Sequence, residues 1–145
     1  MSGERVRLVL NRVKANSTNT IHNVFFKRGA SGLIRNATVA GFYSSLTALS
    51  TELIGRAYGG GVLKLELNEA RRVLMPKITS FPPLLVEALN RALCDVDTAI
   101  RRKEDVGGIV DGLVLREGLG LSKGDVQILT DERIRLATRR MTRQQ

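Results

Sequence analysis

The sequence holds very few of the residue types that do covalent or metal chemistry. It has one histidine, His22, and one cysteine, Cys94. A Ser–His–Asp triad would need His22 beside a nucleophile and a carboxylate. His22 stands instead in a strand-like run, Ile21-His22-Asn23-Val24-Phe25-Phe26, where a structural or surface histidine is the favoured reading. Cys94 lies inside an apolar helical periodicity and reads as core rather than nucleophile. One His and one Cys cannot supply the four ligands of a structural zinc site, so no metal centre is expected. The acidic pairs Asp95/Asp97, Glu104/Asp105 and Asp131/Glu132 sit among basic residues and read as solvated helix surface. Neither a P-loop nor a dinucleotide fingerprint occurs, and Gly118-Leu119-Gly120 follows a helical pattern instead of the strand such a turn requires. No catalytic residue is assigned.

The chemistry that remains is binding. Lys and Arg number 23 against 14 Asp and Glu, a net charge of +9. That balance favours a polyanionic partner, nucleic acid before a membrane or an acidic protein. Residues 1–35 hold seven cations (Arg5, Arg7, Arg12, Lys14, Lys27, Arg28, Arg35) and one acid, Glu4, for 7 − 1 = +6. The first candidate surface is Arg12, Lys14, Asn16, Ser17, Thr18, Asn19, Thr20 and His22. Its cations can neutralise phosphates, while its amides, hydroxyls and imidazole can address base edges or the backbone. The second is Arg56, Tyr58, Gly59, Gly60, Gly61 and Lys64. Three consecutive glycines carry a high chain entropy, where one would serve an ordinary turn. They point to unusual dihedrals or a closely approached backbone, with a plain glycine-rich connection left open. For any single cation here, a solvated surface charge is the competing reading. The C-terminal Arg133, Arg135, Arg139, Arg140 and Arg143 read as a fraying helix end, placed at the negative end of its dipole.

The elements that must position these residues read as α+β. At 145 residues and 43% apolar, with 4% aromatics, the chain should bury a core of Leu, Val, Ile and Ala. Arg5 to Val13 alternates over some of its length, through Val6, Leu8 and Leu10, as a strand does, and Ile21 to Phe26 is a second strand. Asn16 to Thr20 is a loop and Lys27 to Gly32 a basic turn. Asn36 caps a helix running to Ile54, stopped by Gly55. Val62 to Leu67 alternates as a strand, and Asn68 caps a short helix through Val73. Leu84 to Lys103 is helical, with Leu85, Leu89, Leu93, Val96 and Ile100 on its apolar face; the prolines before it fit a helix start. After a Gly107-Gly108 break and an apolar segment, Ile109 to Leu115, Ser122 and Asp125 form a capping box for the last helix. The expected architecture is a mixed strand and helix half (about 1–76) and a helical half (about 82–143), with regions 1–80 and 81–145 packed as one domain. The absence of any apolar run of ~18 residues argues against a membrane span, and the N-terminus lacks the apolar core of a signal peptide. A lone cysteine fits a cytoplasmic setting.

The segment Arg56-Ala57-Tyr58-Gly59-Gly60-Gly61-Val62-Leu63-Lys64-Leu65-Glu66, preceded by Ser44-Ser45-Leu46 and Leu49-Ser50-Thr51-Glu52-Leu53 and followed by Leu67-Asn68-Glu69-Ala70, resembles the C-terminal region of adenine-specific N6 DNA methyltransferases of restriction–modification systems. Leu10-Asn11-Arg12 and Ser17 to His22 resemble the segment upstream of it, and Leu119 to Ser122 and Leu136 to Arg140 resemble the C-terminal helices. The likeness is most specific from Glu52 to Glu66. Those enzymes bind S-adenosylmethionine with a glycine-containing motif in a doubly wound sheet, and hold the flipped adenine with Asn or Asp, two prolines and an aromatic. Phe81-Pro82-Pro83-Leu84 lacks both functional ends, since Phe81 cannot accept the adenine amino hydrogens and Leu84 cannot stack. The resemblance therefore implies a DNA-binding, target-recognition-side module or subunit, catalytically incomplete alone. It implies double-stranded DNA and a catalytic methyltransferase domain or subunit as partners, with S-adenosylmethionine on that partner and no cofactor on this chain. Two other readings stay open: a free-standing basic nucleic-acid-binding or regulatory protein, and a module for docking a catalytic partner.

Overall fold

The computed structural model describes residues 5–142. Met1 to Glu4, and Arg143 with it, lie outside the described residues. Helix α1 (Gly32–Phe42) starts where the Ser31 hydroxyl accepts the Ile34 N–H at 3.2 Å. Helix α2 (Ser45–Ile54) follows after two residues, and a hairpin of β1 (Arg56–Tyr58) and β2 (Val62–Lys64) is joined by a single 3-10 turn through the three glycines. Its strands pair antiparallel, Tyr58 opposite Val62 and Arg56 opposite Lys64. The short α3 (Leu67–Ala70) carries a capping box in which Glu69 bonds the Glu66 backbone N–H. Helix α4 (Pro83–Arg102) begins at a proline, whose missing N–H costs nothing there. Helix α5 (Gly107–Asp111) runs on as a π-helix over Gly112–Gly118, and α6 (Lys123–Thr142) completes the chain.

The core draws on residues from both sides of residue 80. Helix α1 lies along α4, with Ala37 and Ala40 fully buried at its inner face. Leu85, Leu89, Leu93 and Val96 form the facing stripe of α4, and Val106, Val110, Val114 and Leu115 fill the end of the core. The three- and four-residue spacing read in 84–103 is the spacing of this buried stripe. Phe81 is buried against Gly118, where a Cβ would collide with its ring.

The α+β expectation is overturned: helix makes up 60% of the structure and strand 4%, in one two-stranded sheet. The N-terminal half is therefore mostly helical after residue 31. The alternation in the first segment is real, since Val6, Leu8 and Leu10 turn partly inward while Arg7 and Val9 face out. It has no neighbouring strand, however. The segment lies extended against helices, and the Leu8 carbonyl accepts the Tyr43 hydroxyl at 2.8 Å instead of a ladder partner. Ile21 to Phe26 is likewise unpaired coil, with Phe25 87% exposed.

The single helix expected from Asn36 to Ile54 is two. Its break has a cause far away in the chain. The buried Asp111 carboxylate accepts the Ser45 N–H at 2.7 Å and the Ser45 hydroxyl at 2.6 Å, which starts a new helix at Ser45. The strand expected to reach Leu67 ends at Lys64, and the short helix starts from Glu66 instead of Asn68. Cys94 is exposed, not core, because it falls off the stripe between Leu93 and Val96. Ser122 and Asp125 do form the expected capping box, at 3.1 Å in each direction.

Arg140 is no frayed surface residue. Its guanidinium spans both carboxylate oxygens of Glu52 at 2.9 Å, with each side chain 5% exposed. It also donates to the Gly61 carbonyl. The pair pins α6 to α2 and to the glycine turn. Removing one partner leaves the other charge buried and unmatched. Arg140→Ala is therefore expected to lower unfolding free energy by about 3–5 kcal/mol in urea titrations. The exposed neighbour substitution Arg139→Ala should change it by less than about 0.5 kcal/mol.

Candidate nucleic-acid interface

Residues 11–25 are all exposed. The loop is nevertheless braced from within. The Asn11 side chain donates to Ala15 O at 2.7 Å and accepts the Ala15 N–H at 2.9 Å, closing a ring around Lys14, which takes a left-handed φ of 53°. Ser17 bonds Asn23 through 2.8 and 3.1 Å contacts, and Thr18 meets Thr20 at 2.8 Å. These side chains are engaged with one another. Arg12, Lys14, Asn16 and Asn19, by contrast, have no side-chain hydrogen bond or ion pair among the described residues. They are the groups that the sequence-level set leaves available to a ligand.

His22 Nε2 lies 2.7 Å from the Leu65 carbonyl. A carbonyl only accepts, so Nε2 carries the proton and donates. This bond ties the loop to the chain just beyond β2 and brings the two candidate surfaces side by side. His22 is thus a tether, a role that sequence reasoning could not distinguish from base contact.

The second surface differs in electrostatics. Arg56 bonds Glu69 at 2.5 Å and Lys64 bonds Glu66 at 2.7 Å. The Glu69 bond raises the Arg56 pKa and the Glu66 bond raises that of Lys64, while Lys64 in turn lowers that of Glu66. All four groups are charged at neutral pH, and two cations offset two anions. Lys64 also sits 5.2 Å from the Tyr58 ring centre. The hairpin is therefore close to neutral, whereas residues 5–31 carry six cations and no acid. Gly60 and Gly61 take φ of 77° and 68°, the unusual dihedrals expected of the triple glycine. A Cβ at Gly59 or Gly60 would meet open space, and one at Gly61 would come 3.2 Å from the Met141 Cα. The turn is thus open on one side and tightly packed on the other.

Other cations serve the scaffold. Asp105 reaches Arg5 at 3.5 Å and Arg133 at 3.8 Å, fastening the N-terminal segment to α6. Of the acidic pairs, Asp105 is engaged in this way, and Glu132 bonds Arg135 at 2.6 Å on the surface. Among the described residues, no three His, Cys, Asp or Glu side chains group as metal ligands, and no helix is long and apolar enough to cross a membrane.

Residues 1–115 match the family model described as Type II methyltransferase M.Eco57I, C-terminal domain. The chain belongs to this family. No curated protein and no solved structure matched it. The M.Eco57I C-terminal match takes in both candidate surfaces and ends within the π-helix. The likeness noted from Leu119 to Arg140 lies beyond it, although α6 supplies the partner of Glu52.

Burial raises the Asp105 pKa, but the backbone N–H groups of Gly108 and Gly107, with Arg5 and Arg133, outweigh that and hold it below the ordinary value. A lowered folded-state pKa stabilises the protein above the unfolded value of about 3.9, and this contribution is lost as pH falls through the folded value. Asp105→Asn should flatten that portion of the decline in urea midpoint below about pH 4. An unchanged acid profile would mean that Asp105 does not fasten the segment.

Proposed function

We propose that this chain is the DNA-binding, target-recognition-side module of an adenine-N6 methyltransferase of a restriction–modification system. The observation that carries this reading is the braced, exposed loop from Asn11 to His22, with Arg12, Lys14, Asn16 and Asn19 unengaged among the described residues. A loop pre-shaped by its own side-chain hydrogen bonds loses less entropy on binding than an unbraced one. Its two cations suit phosphates, and its two amides suit base edges, where Asn pairs with adenine N6 and N7. The neighbouring hairpin adds a Tyr58 face and an open glycine backbone, with little net charge of its own.

The described residues form no parallel sheet, the architecture in which the resembled enzymes seat S-adenosylmethionine. Nor does the Phe81-Pro82-Pro83-Leu84 run fit an adenine site, because Phe81 is buried under the Gly118 backbone. The reading therefore assigns S-adenosylmethionine and the methyl transfer to a catalytic methyltransferase domain or subunit, and double-stranded DNA to both. A cytoplasmic setting follows from that role.

The test is affinity for DNA duplexes of different sequence across a salt series. The chain should bind with a steep loss as salt rises, and Arg12→Ala and Lys14→Ala should each make the log–log slope shallower by about one while weakening all sequences alike. Asn19→Ala should change the ranking of sequences instead. Equal, uniform losses for all three would mean the loop reads no bases. Adenine methylation by the chain alone would overturn the assignment of catalysis elsewhere.

A further inference from the structure

Arg140 and Glu52 form the most thoroughly buried ion pair among the described residues. Such a pair is an inefficient way to hold two helices together, because removing both charges from water offsets most of their attraction. An apolar pair would join α2 to α6 as well. What it could not do is donate to the Gly61 carbonyl, as the guanidinium of Arg140 does. Beside the same glycine, a Cβ would come 3.2 Å from the Met141 Cα, a tight contact. The end of α6 therefore packs on the turn at Gly61 through both Arg140 and Met141, and Gly60 and Gly61 take positive φ there. Gly61 is buried, whereas Gly59 and Gly60 are exposed and face open space. A turn held so tightly on its inner side and left bare on its outer side is shaped for something outside the molecule.

We propose that Arg140, through Glu52 and the Gly61 carbonyl, is a positioning residue that presents the Tyr58–Lys64 hairpin to the DNA phosphate backbone. The inference rests on the DNA-binding reading above and adds a second contact region to the loop. The occupant is a phosphate because an open glycine turn lets a backbone approach closely, and Lys64 stands at the end of β2 in a solvent-exposed pair with Glu66. On contact, Lys64 can exchange its exposed partner for a phosphate. Arg140 itself touches no DNA, being 5% exposed.

Two charge-distinct variants separate positioning from simple electrostatics, using the full chain and a short mixed-sequence DNA duplex. Arg140→Lys keeps the charge but loses the planar fork that spans Glu52. Glu52→Gln is isosteric and raises the net charge by one. Electrostatics alone predicts unchanged binding for the first and tighter binding for the second. Positioning predicts weaker binding for both: about eightfold at 0.1 M salt for one lost phosphate contact, with a salt slope shallower by about one. Circular dichroism at the binding temperature confirms that the variants are folded, and if Arg140→Lys does not fold, Glu52→Gln carries the same comparison. Faster amide exchange at Gly60 and Gly61 in the folded variants accompanies the expected result. Undiminished binding by Glu52→Gln overturns the inference and leaves the DNA-binding reading standing. No binding by the unaltered chain overturns both.

Discussion

A buried charge demands a partner, and in this fold that demand organises the C-terminal half around the N-terminal motif. Arg140 can be enclosed only if Glu52 is enclosed with it and a carbonyl takes a remaining N–H. Meeting those conditions fixes α6 on α2, brings the glycine turn under the end of α6 and makes glycine the fitting residue at position 61. Asp111 has a similar role at the other end of α2. Its carboxyl pKa is pushed up by burial, and the bonds from Ser45 work against that rise. These contacts join α2, the helix behind the hairpin, to the chain on either side of the π-helix.

The exposed face is built on that frame and differs in kind from it. The first surface is a loop braced by Asn11, Ser17 and Asn23, with a strong excess of positive charge in its segment. The second is a hairpin whose cations are already matched by Glu66 and Glu69. The His22–Leu65 bond makes them neighbours. Long-range attraction to a polyanion belongs to the first, and shape belongs to the second. On the DNA-binding function proposed above, this division gives the loop the initial contact.

Much of this was legible in the residues and some was not. The stripe on α4, the proline start of that helix, the Ser122–Asp125 cap and the special backbone of the triple glycine all follow from local patterns. Family membership was visible in the Glu52 to Glu66 pattern. The fold class was misjudged because alternation reports which side chains face inward, and an extended segment packed on helices alternates as a paired strand does. The helix break at Ser45 was hidden because its cap comes from Asp111, 66 residues away. Arg140 looked like one terminal arginine among several because its acid, Glu52, is 88 residues distant. In the candidate site, sequence singled out a stretch of chain, but only geometry distinguishes Ser17, Thr18, Thr20 and His22, which brace or tether, from Arg12, Lys14, Asn16 and Asn19, whose side chains make no such bond among the described residues.

The central claim is that DNA meets this chain on the loop from Asn11 to His22. Amide hydrogen exchange, compared with and without a saturating DNA duplex at low salt, tests it most directly. The account predicts slowed exchange across residues 11–22, with a smaller effect at 58–64, and little change on the exposed side of α4. Slowing confined to α4 or to the exposed face of α6, with the loop unchanged, would contradict it.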